Sequence, residues 1–499
     1  MSDSASILKN PVYANAANYE WLRAQGLKYI EQLSSAYWTD YNIHDPGITL
    51  LEALCYAITD LGYRIQILKI CWQVMRNTGA KRVISRHLFP ATILTINPWT
   101  SNDFRKLLID LLGVKNAWLF CVGEAYNDKL IYADCQKSKL QYEVTNSPVS
   151  IEGLKDVLIE FDNEPGTGDL NSGKINQQFY FLQDSQLATA GLELRLPSWQ
   201  ALQNDAFALH AKAVCNALVE QVKVLFVSGN KNDNSDIPQA QLAKVLRRVF
   251  YVTFEVTYKP LTEGAIAVTW LLSDVPCRLW LNDDDFRKLI TVNEIRQALE
   301  DGSETGAIAR YFHLLQRASQ VMQQAFFALH NHRNLCEDFC KVSAVSVHDV
   351  GVCADVEVTP SAEIEAVLAE VYYKIGEYFS PEVKINGLNE LVQQGIPTDQ
   401  IFDGPSLRNG FITEDDLTHS QLKPFVYTSD IINILMDIPG VVAVRNFVLM
   451  DFDSEGNHLD SLSWILKVRD GHQPRLYIEA SKILFYKNGL PFLPQMQEV

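Results

Sequence analysis

The stretch Trp38–Arg64, WTDYNIHDPGITLLEALCYAITDLGYR, joins an aromatic and acidic lead-in to a helix with a sharply marked start. Asp45 is suited to cap a helix N-terminus. Pro46 fits the first helical position, where its missing N–H is not needed, and Thr49 with Glu52 offers a second, capping-box start. Ile48, Leu51, Leu54, Cys55, Ile58 and Leu61 then recur at threes and fours, which places them on one stripe, and Gly62 supplies a left-handed stop. So broad an apolar face must be covered, either by the helix's own domain or by a neighbouring subunit, and periodicity does not separate the two. Ahead of it, Tyr19, Leu22, Ile30 and Leu33 share one face of an earlier helix, so the first ~90 residues read as mainly helical.

A chain of 499 residues exceeds what one hydrophobic core organises, so several domains are expected. The excess of 60 acidic over 43 basic residues gives a net charge of -17, which opposes binding to nucleic acid and to anionic membrane surfaces. The leader MSDSASILKNPVYANAANYEW has no basic region followed by an apolar core, and no window reaches the ~18 apolar residues of a membrane span. The expectation is cytoplasmic synthesis and assembly without direct membrane insertion. The nine cysteines, scattered and odd in number, read as small buried hydrophobes in a reducing compartment.

Past Pro98 the pattern turns to α+β. Ser101 precedes the helical DFRKLLIDLL, Gly113 closes it, and AWLFCVG and KLIYADC read as a hairpin-like pair of strands. EGLKDVLIEFD and GLELRLP read as further strands, and a long helix is expected over residues 204–225. VFYVTFEVTY and AIAVTWLL are strands flanking a turn, and DDFRKLITVNEIRQALED returns to helix. SAVSVHDVGVCADVEV then leads to the helix SAEIEAVLAEVYYKIGEYF, stopped by Pro381, and TSDIINILMDI, Gly440 and VVAVRNFVLM repeat the helix-Gly-strand plan seen around Gly113. The fold class is multidomain α+β: an N-terminal helical docking segment (1–95), a first α+β module (96–200), a central module with long helices (201–345), and C-terminal α+β modules (346–499). DFRKL occurs at both 103–107 and 285–289, but no fixed period supports duplication.

Groups that might carry chemistry are few. His330, His332, Cys336 and Cys340 have metal-ligand types, and on a continuing helix 332, 336 and 340 would stack on one face; four ligands from one helix do not readily close a tetrahedron, so no metal is assigned. GDLNSGKI at 168–175 approaches a phosphate loop but has Ile175 where a hydroxyl must reach magnesium, so no cofactor is assigned. DFDSEG at 451–456 mimics a calcium loop with Leu462 in place of the bidentate glutamate, and a hairpin turn explains it better. No catalytic constellation is found. From Tyr311 to Leu329, by contrast, Tyr311, Leu315, Ala318, Met322, Ala325 and Leu329 follow a coiled-coil-like seam, open to burial in its own domain or in a shared bundle.

The window from Trp38 to Arg64 resembles the N-terminal signature of the baseplate wedge proteins (baseplate J-like family) of contractile phage tails and extracellular contractile injection systems. HRNLCEDF, ADVEVTPSAEIEAVLAEVYYKIGEYFSPEVKI, IFDGPSLRNGFI and TSDIINILMDIPGVVAV look like the same group, while the middle, about 134–310, matches only in general plan. The resemblance implies a structural subunit with no catalytic residues. It implies partners as well: a second related wedge protein joined through a helical bundle, the hub and spike, and a sheath-proximal subunit, with six wedges closing a ring in a phage tail-like particle. It also implies a mechanical role in which the firing change passes to the sheath. Trp38, Tyr41, His44, Leu51, Leu54, Ile58, Tyr311, Leu315, Met322 and Leu329 are the residues expected at partner interfaces. Competing readings are a carbohydrate- or receptor-binding tail protein, suggested by nine Trp and twenty Tyr, and a metal- or nucleotide-dependent enzyme.

Overall fold

The computed structural model describes residues 15–78, 91, 94–122, 131–134, 137–141, 148–149, 153–183, 186–204, 207–262, 264–281 and 287–492. The leader before residue 15, the start of the second DFRKL and the tail after Phe492 lie outside the described residues. Contacts divide the chain into two compact units, Met1–Thr95 and Ile96–Val499.

The first unit is a helical hairpin of α1 (Tyr19–Ser34) and α2 (Pro46–Thr78). Asn18 caps α1 by accepting from the Trp21 N–H at 3.1 Å, and Asp45 caps α2 by accepting from the Ile48 N–H at 3.0 Å. Arg23 Nε donates to Glu52 Oε1 at 2.8 Å across the pair. The helices meet closely at Gly26, where a Cβ would stand 2.4 Å from a Leu51 methyl. Gly62 is not a stop. It keeps a helical backbone, and α2 runs on to Thr78, because a glycine ends a helix only where the chain turns left-handed after it.

The second unit begins with α3 (Ser101–Ile109), started by a capping box between Thr100 and Asp103. Gly113, at φ +93°, turns the chain into β1 (Val114–Cys121). β1 does not pair with the KLIYADC segment as expected. Its antiparallel partner is β2 (Leu154–Phe161), an eight-residue strand that matches its length, while residues 131–134 pair with two short strands. There follow β3 (Lys174–Gln183), β4 (Gln186–Arg195), β5 (Ala217–Ser228), β6 (Phe250–Pro260) and β7 (Val268–Trp280), forming a sheet of order β5-β6-β7-β4-β3. The helix expected over 204–225 covers only Ala208–Val214. Past it, LVEQVKVLFV, dense in β-branched residues, forms the edge strand β5. Of the helix expected over 284–301, Val292–Leu299 forms, from a capping box at Thr291 and Glu294; residues 288–289 ahead of it are a turn, and 284–286 lie outside the described residues.

The long helix α4 (Ala307–Asn331) is embedded between the sheets, and β8 (Asp338–Ala344) completes a three-stranded sheet of order β1-β2-β8. One apolar core runs from Phe104 to Ala344. A second gathers Val350 to Phe485 around β9 (Ser346–Val358), with α5 (Ile364–Phe379), α6 (Thr428–Met436) and β10 (Val441–Phe452). β9 pairs antiparallel with β10 and parallel with β11 (His472–Leu476) and β12 (Lys482–Lys487). α5 ends before Pro381, Gly440 at φ +96° joins α6 to β10, and residues 453–457 form the hairpin turn in place of a calcium loop. Both helix-Gly-strand units are present, and the architecture is α+β.

Candidate docking surfaces

The lead-in WTDYNIHDPG folds into a compact corner at the entry to α2. Trp38 Nε1 donates to the Asp40 carbonyl at 2.9 Å, and the Tyr41 hydroxyl donates to the Trp38 carbonyl at 2.8 Å. The Trp38 ring packs against Gly47, where a Cβ would come within 2.2 Å of it, so the glycine after Pro46 makes room for Trp38. Trp38 and Tyr41 are half-buried in this corner, and His44 is exposed beside it.

Little of α2 is covered within its unit. Ile48 and Cys55 are buried, and burial raises the Cys55 thiol. Leu51 is half-buried against α1, yet Leu54 and Ile58 are 55% and 44% exposed, and Leu50, Tyr56, Leu61, Tyr63 and Ile65 are exposed as well. A hairpin offers one helix one neighbour, whereas this helix is apolar around most of its circumference. Covering each half-exposed aliphatic would contribute about 1 kcal/mol. α1 and the bend after it add exposed Tyr29, Leu33, Tyr37 and Ile43.

The seam of α4 has the opposite fate. Tyr311, Leu315 and Leu329 are fully buried in the chain's own core, and Met322 packs against the same core. Expected at a partner interface, they lie instead in the chain's own core: two sheets close over the seam, and the Tyr311 hydroxyl donates to the Pro197 carbonyl at 2.7 Å. The surface α4 does leave open carries Phe326 and Phe327, which the seam pattern did not single out as contacts.

The His330 to Cys340 cluster disperses. α4 ends at Asn331, Cys336 takes a left-handed backbone at φ +63°, and Cys340 lies in β8, so 332, 336 and 340 do not stack. His330 rests on Phe326, ring centroids 4.1 Å apart, and His332 Nδ1 is 2.6 Å from Asn97 Oδ1. Among the described residues no group of three or more His, Cys, Asp or Glu is placed to hold a metal. Cys55, Cys215 and Cys277 are buried as expected and form no disulfide, but Cys121, Cys336 and Cys340 are exposed. GDLNSGKI passes from a two-residue strand into β3 with no helix following.

What sequence reasoning missed is a band of buried charge where the second core meets the first. Arg475, on β11, donates to Glu160 and, at 3.3 Å, to Asp169. Glu160 is fully buried and also accepts from the Ser380 hydroxyl at 2.6 Å; Lys115 donates to the Ser380 carbonyl at 2.8 Å, and burial lowers its ammonium. Nearby, Arg195 donates to Glu193 at 2.7 Å and to Asp349 of β9 at 2.6 Å, while Tyr477 and Trp280 donate to Glu193. Burial acts to raise the Asp349 carboxyl, but Lys174 and Arg195 outweigh it and hold the carboxyl below its ordinary value. Such pairs add little net stability, but breaking one leaves an uncompensated charge, so they fix one relative placement of the two cores. The pairs that cross from one core to the other, such as Arg195–Asp349 and Arg475–Glu160, lie 154 and 315 residues apart in sequence, so no local motif could have shown them.

Residues 346–489 match the family model of the baseplate wedge Pvc12-like domain 3, a span that coincides with the second apolar core. The chain thus carries a baseplate wedge domain, in agreement with the resemblance read from its sequence. No curated protein matches it. Among solved structures it is similar to a chain of the cryo-EM structure of the anti-feeding prophage baseplate, 6-fold symmetrised, at 13% identity and a TM-score of 0.35, covering 95% of this chain and 57% of that one. That likeness is too loose to carry an argument. Among the described residues no helix is long and apolar enough to cross a membrane.

Proposed function

We propose that the chain is a structural wedge subunit of a contractile injection system, turning over no small molecule, that docks through its N-terminal hairpin onto a helix of a related wedge protein. The observation that carries this reading is the exposed apolar circumference of α2, presented by a chain whose residues 346–489 match a wedge domain. Trp38, Tyr41 and His44 at the corner, with Leu51, Leu54 and Ile58 along the helix, form the contact. An apolar surface of this extent is the kind that soluble chains cover by association. Further along the same reading, six such pairs close a ring around the spike and hub, and the second unit, fixed by its buried charges, passes the firing change towards the sheath. The particle is assembled in the cytoplasm.

Coexpression of the full chain with candidate baseplate proteins, followed by affinity capture and native mass measurement, tests the proposal. The expected result is a complex of fixed ratio that Leu54→Glu with Ile58→Glu abolishes while the free chain stays folded. Capture of the double variant in undiminished yield, or a chain that remains monomeric in every mixture, would overturn it.

A further inference from the structure

Between α5 and α6 the chain leaves the C-terminal domain, and residues 381–424 pack as a strap on α3 in the other core. The strap has a small apolar centre of its own, Leu391, Ile401 and Phe402, with Ile396 and Phe411 packed against it. Its apolar contact with α3 is small: Ile109 against Ile412 and Leu417, with Val383 and Leu407 packed on the same cluster. The rest is polar. Asp110, at the C-cap of α3, accepts from the Arg408 and Asn409 N–H groups at 2.7 and 2.8 Å, and its carbonyl accepts from the Asn409 side chain at 2.9 Å. Arg105 donates to the Leu417 carbonyl at 3.2 Å, and Lys106 pairs with Glu414 at 3.0 Å.

The strap also reaches the first residue of the second unit, since the Ile96 N–H donates to the Gly404 carbonyl at 2.9 Å. Gly404 sits at φ +100° with room for no Cβ, which would stand 2.8 Å from the Asp103 carboxylate. Undocking would open one small apolar cluster, Ile109, Ile412 and Leu417 with the partly buried Val383 and Leu407, and rehydrate charges now held out of water. Burial pushes the Arg105 guanidinium down to about 10, with Glu414 opposing. Segments with few buried apolar contacts are the ones that open locally, at less than the global cost, whereas the two large cores hold most of the buried apolar side chains.

We propose that residues 381–424 are a releasable strap, by which the wedge domain grips α3 and the start of the second unit and which lets go as one piece while both cores stay closed. Its use in a firing rearrangement rests on the function proposed above, but the strap itself is a property of the free chain and is tested there. The measurement is hydrogen–deuterium exchange read by mass spectrometry on the full chain, comparing the parent with Asp110→Ala. Two charge-assisted hydrogen bonds are lost, so amides of 96–110 and 385–420 should exchange on the order of tenfold faster or more, with α4, β9 and β10 unchanged. Unchanged rates in the strap, or equal acceleration in α4 and β9, would show that no separable strap exists. If Asp110→Ala does not fold, Asn409→Ala, which removes only the side-chain bond from the exposed side, gives the same decision with a smaller acceleration. Either failure leaves the coexpression test standing.

Discussion

α2 and α4 carry nearly the same pattern, apolar side chains at threes and fours over several turns, and the molecule treats them in opposite ways. α4 is sheathed by two sheets of its own chain; α2 has one short helix beside it and leaves Leu54 and Ile58 open. The difference teaches that amphipathic spacing sets which side of a helix needs covering, while the elements that fold against it decide whether the cover comes from within.

The largest expected break in this contrast lies at the charge band that fixes the second unit. Arg475→Met should cost about 3 kcal/mol in denaturant unfolding, because the buried Glu160 loses its close cationic partner and keeps only the Ser380 hydroxyl and Lys115 at 4.0 Å. A loss under ~1 kcal/mol would mean that the cores are held by packing alone. Leu315→Ala, in the sheathed seam, should cost about 2–5 kcal/mol by the same measurement, and a value near zero would place Leu315 outside the core. Gly113→Ala presses on the same helix from the side. Its Cβ would stand 2.7 Å from a Val321 methyl at φ +93°, against 3.2 Å from the Ala362 Cβ at φ +96° for Gly440→Ala. Each should lose about 1–2 kcal/mol to the left-handed backbone, with Gly113→Ala the worse of the two; the reverse order would show that α4 yields more readily than the turn that leads into α5.

A smaller effect is expected from pH. His348 is buried on β9, its Nε2 2.7 Å from Asp451 and its Nδ1 accepting from the Arg469 N–H at 3.3 Å, a neutral tautomer that has no place for a second proton. Burial lowers this imidazole, with Arg469 and His472 acting in the same direction and Asp451 opposing. The unfolded chain therefore takes up the proton first, so the contribution is intact above about pH 6.5 and is lost as pH falls from there through the folded value. His348→Gln should flatten that part of the stability profile; an unchanged slope would refute the assignment. The smallest effect belongs to α2: Leu54→Glu should shift the stability of the free chain by no more than ~0.5 kcal/mol, since the side chain is exposed already. A large loss would mean that α2 is covered within the chain after all.

Much of the fold is legible in the residues alone. The Asp45-Pro46 start, α3 with its Thr100 cap, α5 ending before Pro381 and both helix-Gly-strand units are local devices, in which the residues that make the hydrogen bond or fix φ stand within a few positions of one another. Expectations that failed were of two kinds. Residues 217–228 and the pairing of β1 depended on partners some 40 residues away, and the extension of α2 past Gly62 depended on the absence of a left-handed turn, which spacing does not reveal. Of the expected contact residues, those at the α2 entry remain on open or half-open surface, while the seam of α4 turned inward.

By itself, then, the sequence determined where helices and turns begin, the α+β class and the wedge resemblance, because capping, backbone φ and apolar period act over a turn or two. Tertiary structure alone decided that α4 is enclosed and α2 is not, that Glu160 and Arg475 meet across 315 residues, and that a strap from the wedge domain lies on α3. Burial and charge pairing depend on which distant segments arrive at the same place, and that is settled only when the whole chain has folded.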